Sequence, residues 1–418
     1  MAEQRELAVI VLGATGVTGR RAVSYLRDRA PELGVRWAVA GRDPGRLEEM
    51  LSGWPQEARP EVLRADVTEA SSLAPLLERA RAVVNFAGPF ARLAPPVIAA
   101  CVEAGTHYLD VSGEIGFVAR MIDAHHERAR ERGVKVVQVA GFEALPFDLL
   151  TRLGIEKLAA EHDSAPQSAD LVLTGTPPPG MARPSDGISA GTFESLRQSF
   201  LSDDSAHLGD PAALVRGLAD VEAVRRLSPI GLAPRRDPAR GLLAPMIPSP
   251  ELNPPVIQRS LALAGLAPIR YRESIAMASM FGPPPVQVAV AGTLGAVNRG
   301  LRLLASAPPQ VRRAGAGLSG ALIPRSASGP RPDRLEGWSW AIDGVVQGAG
   351  GAQARVRLQA RGHPGYLATS RMTAEAGLIL ADPQADVPGE GGCVTPAAAL
   401  GTGELARFSA AGLDFRQG

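Results

Sequence analysis

The first clear pattern in the chain is the apolar run Leu7-Ala-Val-Ile-Val-Leu12, which predicts a strand buried on both faces. It leads into Gly13-Ala-Thr-Gly-Val-Thr-Gly19, after which helical periodicity opens at Thr18. Short apolar runs and helical stretches then alternate. Strands are predicted over 35–40, 61–64, 82–86, 106–110 and 134–139. Helices fall between them over 44–53, 71–79, 94–104 and 117–132, the last stopped by Gly133. This alternation predicts an α/β domain, residues 1–150, built on a doubly wound, Rossmann-type parallel sheet covered on both faces.

Beyond residue 150 the pattern changes. A helix over 147–160 leaves the sheet, and a strand follows over 169–174. Gly187-Ile-Ser-Ala-Gly-Thr192 precedes a predicted helix running to Phe200; its hydroxyls could receive a ligand or simply cap the helix. Residues 203–255, rich in Pro, Arg and Ala, predict loops and short helices. An antiparallel pair is expected over 337–342 and 354–360, joined by the glycine-rich turn 348–351. These elements give a second, α+β substrate domain over 151–361. Residues 362–418 form a C-terminal helical segment, whose helix 366–381 carries Met372, Ala376, Ile379 and Leu380 as an apolar stripe returning to the first domain.

A chain of 418 residues agrees with two domains, and a net charge of +1 gives no reason to propose a nucleic-acid partner. Cys101 and Cys393 lie far apart, which fits a reducing cytoplasm better than a disulfide. No charged side chain occurs between Glu273 and Arg299, a stretch long enough to span a bilayer, but Gly282-Pro-Pro-Pro285 interrupts it. The following residues 301–323 fit either a peripheral membrane contact or cover for a lipid-like substrate, or else a helical flap packed on its own domain.

The chemistry concentrates where predicted strands end. Gly13, Gly16 and Gly19 permit a sharp turn, close backbone approach and tight helix packing, so the loop 13–19 offers bare N–H groups to a pyrophosphate. The second strand ends in Ala40-Gly41-Arg42 rather than in an acid. A guanidinium there suits a 2′-phosphate, so NADP(H) is expected over NAD, with Arg46 adding charge nearby and Asp43 available to pair with Arg42. Other strand-end residues to watch are Asp66, Asn85 to Pro89, Tyr108 to Glu114, and Gly141 to Glu143. Tyr108, Asp110 and Glu143 are the candidate catalytic groups, although Tyr108 could equally pack in the core and Asp110 fix its loop. None of the four tyrosines has a lysine four positions on, which removes the proton machinery of short-chain ketoreductases. No metal site is expected: the adjacent His125 and His126 read as a solvated helix face, and the other histidines lack ligand spacing.

These motifs have an order and spacing that resemble a known family. Asn85-Phe-Ala-Gly-Pro-Phe90, Ala100-Cys-Val-Glu-Ala-Gly-Thr-His-Tyr-Leu-Asp110, Gly141-Phe-Glu-Ala-Leu-Pro-Phe-Asp148, Gly362-His-Pro-Gly-Tyr366 and Gly391-Gly-Cys-Val-Thr-Pro-Ala397 accompany the glycine loop and Arg42. The set resembles the saccharopine dehydrogenase-like oxidoreductases, in the branch with the trans-acting enoyl reductases of lipid and polyketide synthesis. The resemblance implies that Gly13, Ala14, Thr15, Gly16, Val17, Thr18 and Gly19 hold the pyrophosphate, and that Asp66 lies by the adenine. Asn85, Ala87, Gly88 and Pro89 would pass along the ribose–nicotinamide half. It further implies an NADPH-dependent reduction of an enoyl substrate, a small molecule or an acyl chain on an acyl carrier protein or polyketide synthase, by a homodimer. An imine or amino-acid dehydrogenase, with Arg270 and Arg272 for carboxylates, and a non-catalytic NADP(H)-binding or lipid-associated scaffold remain the alternatives.

Overall fold

The computed structural model describes residues 5–179, 207–246, 249–314 and 332–417. They form two compact units. The first comprises Met1–Ser112, Arg120–Phe142 and Gly365–Gly412; the second comprises Gly113–Ala119, Glu143–Pro364 and Leu413–Gly418. The motif 187–192 and its predicted helix lie outside the described residues.

The first unit is built on seven parallel strands: β1 (Leu7–Leu12), β2 (Trp37–Gly41), β3 (Glu61–Arg64), β4 (Ala80–Asn85), β5 (His107–Asp110), β6 (Lys135–Val137) and, far along the chain, one at Gly392–Val394. The last is numbered β13 below, after the strands of the second unit. The order across the sheet is β13-β6-β5-β4-β1-β2-β3, all parallel. The chain therefore reverses its winding direction between β1 and β4, where the carboxyl ends of an open sheet leave a crevice. Nearly continuous burial of β1 and β4 explains their unbroken apolar runs.

The helix Thr369–Ala381 covers one face of this sheet, and its burial extends well beyond one stripe. Gly377 makes the approach possible, because a Cβ there would lie 2.5 Å from Val84 Cγ2. Glu375 on this helix is fully buried yet accepts from Tyr25 Oη at 2.5 Å, and from Arg29 Nε and Arg407 Nε at 3.2 Å each. A buried carboxylate with three such donors is compensated. Lys135 Nζ donates to the carbonyls of Pro388 and Ala399 and so ties β6 to the C-terminal segment. His126 corrects the expectation of a solvated pair: its Nδ1 accepts the Cys393 N–H at 3.2 Å and buttresses β13.

The second unit holds another seven-stranded sheet. Its strands are β7 (Pro166–Thr176), β8 (Arg235–Asp237), β9 (Gly241–Ala244), β10 (Arg270–Ala276), β11 (Ser339–Gly348), β12 (Gln353–Arg361) and β14 (Leu413–Gln417), in the order β14-β12-β11-β7-β10-β9-β8. Only β7 and β10 run parallel. The expected hairpin is β11–β12. The helix Leu145–His162 packs on it through Gly154, whose Cβ would meet Val346 Cγ2 at 2.4 Å, so this helix belongs to the second unit. Within 203–255 the expectation of loops and short helices is corrected by the β8–β9 pair and the helix Ser249–Leu263. The final residues form strand β14 rather than extending the helical segment. The prolines that interrupt the uncharged stretch start a helix, Pro284–Ala305, because a proline near a helix N-terminus removes only an N–H that has no intrahelical partner.

Candidate active site

The site begins at the glycine loop. Gly13 adopts φ +74°, and its carbonyl accepts the Gly16 N–H at 3.0 Å. The helix Val17–Glu32 starts directly afterwards with Gly16 as N-cap and no side-chain cap. The first-turn N–H groups of Val17, Thr18 and Gly19 are left for an anion, aided by the positive end of the helix dipole. Backbone crowding requires the glycines. A Cβ on Gly13 would lie 2.5 Å from Ala87 N and from Phe86 C, and one on Gly19 would lie 2.2 Å from the Gly13 carbonyl oxygen. The loop after β1 thus presses on the loop after β4, at the switch point of the sheet. Ala14 is buried beneath the turn, while Thr15 and Thr18 flank it half-buried.

Arg42 follows β2 directly, is exposed, and has no ion-pair partner among the described residues. Asp43 does not pair with it: Asp43 Oδ1 accepts the Arg46 N–H at 3.1 Å and caps the helix Pro44–Leu51. Asp66 closes a turn by accepting from Thr68 N at 3.0 Å and Thr68 Oγ1 at 2.7 Å. Those bonds, with Arg42 and Arg64 nearby, hold its carboxyl below the usual range. The Arg42 guanidinium is therefore free for a phosphate beside a fixed carboxylate. Arg20 and Arg46 also line a cleft of about 510 Å³ with Ser24, Glu49, Met50 and Trp54. Arg20 was not singled out in the sequence, although it directly follows the last glycine of the loop. Replacing Arg42 with Ala should weaken NADPH binding about 10- to 100-fold and change NADH binding less than twofold, as measured by calorimetric titration.

At the ends of β4 and β5 the structure joins three predicted residues. Asn85 Oδ1 accepts the Ala87 N–H at 2.9 Å, and Asn85 Nδ2 donates to Tyr108 Oη at 2.9 Å. Tyr108 Oη donates to Asp110 Oδ2 at 2.9 Å, and Asp110 Oδ1 accepts from Ser112 N at 3.0 Å and Ser112 Oγ at 2.7 Å. All are fully buried. Burial pushes the Asp110 carboxyl up to about 6 against these donors, and pushes the Tyr108 hydroxyl upward too. The chain runs from the turn containing Gly88 and Pro89 to the loop beyond β5.

Sequence reasoning missed the end of β6. Val139, a β-branched residue, adopts φ +57°, a strained conformation that its surroundings must hold. Its N–H lies by the Asp110 carboxylate and favours the charged form. Beside it the Gln138 amide is buried with neither its oxygen nor its nitrogen hydrogen-bonded. Thr373 Oγ1 donates to the Ala140 carbonyl at 2.8 Å, and Thr369 Oγ1 accepts the Phe142 N–H at 3.1 Å, so the C-terminal helix pins this loop. No residue type at 138–139 signals the strain; it is a property of the backbone path. Glu143, next along the chain, is half-buried and outside the Tyr108–Asp110 network; desolvation pushes its carboxyl up.

The second unit carries its own buried acid. Tyr271 and Glu273 share one face of β10, with Tyr271 Oη donating to Glu273 Oε2 at 2.7 Å and Asn253 Nδ2 donating to the same oxygen at 2.6 Å. Burial pushes Glu273 up to about 7. Arg270 and Arg272, considered for carboxylate binding, occupy the alternate, exposed positions of β10. A carboxyl raised above its unfolded value stabilises the fold fully at low pH and loses that contribution as pH climbs to about 7. Wild type should therefore lose about 2–3 kcal/mol between pH 5 and pH 8 relative to Glu273→Gln, which keeps the acceptor oxygen. Urea midpoints of the two proteins at both pH values check this.

A phosphate-binding glycine loop at the switch point of a parallel sheet, with an unpaired arginine after the second strand, defines a nucleotide-dependent oxidoreductase domain. Comparison with known proteins agrees. The family profile described as Saccharopine dehydrogenase NADP binding domain matches residues 9–137. A Mycobacterium tuberculosis protein provisionally named a trans-acting enoyl reductase is 32% identical, covering 99% of this chain and 98% of its own. A trans-acting enoyl reductase of Mycobacterium ulcerans is 27% identical over 98% of this chain and 97% of its own. In fold, apo saccharopine dehydrogenase (L-Glu forming) from Saccharomyces cerevisiae matches with a TM-score of 0.50 at 12% identity, covering 98% of each chain. The chain belongs to the saccharopine dehydrogenase-like NADP-binding oxidoreductase family, in the branch that holds the trans-acting enoyl reductases. Its cofactor is NADP(H). The cradle that a Cβ would fill and the unpaired Arg42 fit that cofactor.

Proposed function

We propose that the protein is an NADPH-dependent enoyl reductase that saturates the carbon–carbon double bond of an acyl substrate presented as a thioester, on a carrier protein or polyketide synthase. The observation that carries the reading is near full-length similarity to trans-acting enoyl reductases, covering both units and not the nucleotide domain alone. NADPH, when bound, supplies a hydride from its nicotinamide ring.

The chain's own residues would bind, orient and protonate. Val17, Thr18 and Gly19 hold the pyrophosphate through backbone N–H groups, Arg42 takes the 2′-phosphate, and Asp66 lies at the adenosine end. Asn85, Ala87, Gly88 and Pro89 line the ribose–nicotinamide half, and the Gln138 amide offers a donor and acceptor to a carbonyl or carboxamide. Tyr108 and Asp110 are positioning residues, since their polar atoms serve the network that fixes the loops after β4 and β5. Glu143 holds at its carboxyl the proton that the substrate α-carbon takes up; desolvation favours that protonated form. Residues 151–361 would supply the acyl-binding surface. The exposed placement of Arg270 and Arg272 gives no support to an amino-acid substrate.

Single-turnover loss of NADPH absorbance tests the reading. It should appear with a crotonyl-type thioester and be absent with imino acids and with buffer alone. Turnover of the imino acid only would transfer the protein to the saccharopine reductase reaction. No turnover with either, despite tight NADPH binding, would favour a non-catalytic nucleotide-binding role.

A further inference from the structure

The helix Pro284–Ala305 uses only one side to pack on its own unit. Ala291, Gly295 and Asn298 form the buried side, and a Cβ on Gly295 would meet Pro234 Cδ at 3.1 Å and the Leu232 carbonyl oxygen at 3.2 Å. At 100° per residue the opposite side carries Val286, Ala289, Gly292, Ala296, Val297 and Leu303, together with Gly300 and Thr293, whose hydroxyl is turned back onto the Ala289 carbonyl at 2.9 Å. All are exposed, Leu303 to 74% of its surface. The single charge on this side is Arg299, at its border. Val288 and, beyond the helix, Val311 add exposed apolar surface.

The charge pattern identifies what fits. From Ser274 to Pro332 there is no Asp or Glu and there are six arginines, whereas the whole chain balances at +1. The remainder of the protein is thus net acidic, and the stretch of sequence that contains the uncharged face is basic. Arg299 is exposed at the border of that face, and Arg313 is exposed eight residues beyond the end of the helix. A long uncharged face with an arginine at its border, in a segment with basic charge and no acid to repel headgroups, fits a helix lying in an anionic bilayer interface. Among the described residues no helix is long and apolar enough to cross a membrane, so such a helix would lie in the plane. A second copy is the weaker fit. One helix face against its twin covers well under the ~1,200 Å² total that stable interfaces need, and like-charged arginine borders would sit close.

We propose that this face docks the protein on an anionic lipid surface, with the helix axis parallel to the membrane, Val286, Val297 and Leu303 entering the acyl boundary, and Arg299 and Arg313 on the headgroups. The inference does not depend on which substrate is reduced. Its test is co-sedimentation of the full-length protein with vesicles of phosphatidylglycerol and phosphatidylcholine, against phosphatidylcholine alone. Binding should appear on the anionic vesicles and fall with salt. It should drop about 25-fold in Arg299→Ala/Arg313→Ala, about fivefold for each cation, and at least tenfold in Val297→Ser/Leu303→Ser. Both variants should bind NADPH as wild type does, which separates loss of docking from loss of folding. No preference for anionic vesicles would overturn the proposal. So would light scattering that shows a dimer dissociated by Val297→Ser/Leu303→Ser, because a second copy would then cover the face.

Discussion

Gly13→Ala should weaken NADPH and NADH binding alike, by about a thousandfold. The added methyl would stand 2.5 Å from the backbone after β4, at φ +74°, where an L-residue is already strained. Neither neighbour can yield cheaply, because both are main chain. The loop must shift, and two or three N–H groups aimed at the pyrophosphate go with it; each charge-assisted bond contributes about 1.5–3 kcal/mol. Since the lost contacts are common to both coenzymes, their ratio should stay the same. That separates this variant from Arg42→Ala, which should move NADPH only. Fluorescence titration with each coenzyme checks it. A wild-type affinity in Gly13→Ala would mean that the coenzyme does not rest on this turn.

Glu143→Gln should lower kcat by about 100-fold at neutral pH with NADPH affinity unchanged. The amide keeps the shape of the side chain but cannot give up a proton. Desolvation raises the Glu143 carboxyl, so the protonated, competent form predominates at low pH. The wild-type rate should fall as pH rises through that raised value, and the rate of the Gln variant should lose this limb. Tyr108→Phe removes two bonds, from Asn85 and to Asp110, within a buried chain of four residues; it should act on coenzyme affinity and stability, with less than a tenfold effect on kcat. An unchanged rate in Glu143→Gln would leave solvent as the proton source.

Much of the first unit was legible in the sequence because its signals are local. An apolar run, a glycine-spaced turn and a helical period follow one another within single βα units, so β1, the loop 13–19 and Arg42 could be read together. Other features depend on partners far along the chain. The helix Ser249–Leu263 was hidden by Pro254 and Pro255, which read as breakers yet lie inside it, in its second turn. Strand β10 was hidden by Arg270, Arg272 and Glu273: alternate residues meet water and core, and the inward acid is held by Tyr271 and Asn253. His126 read as solvated because β13, which it supports, lies 266 residues later in the sequence. The strain at Val139 and the bare amide of Gln138 belong to the backbone path, and composition carries no trace of either.

The most direct test is calorimetric titration of the wild-type protein with NADPH and with NADH at low and moderate salt. A guanidinium set aside for one extra phosphate predicts binding of NADPH at least tenfold tighter than NADH, with a margin that narrows as salt screens the charge. Equal heats and affinities for the two coenzymes would contradict the role of Arg42, and no heat with either would contradict the nucleotide site itself.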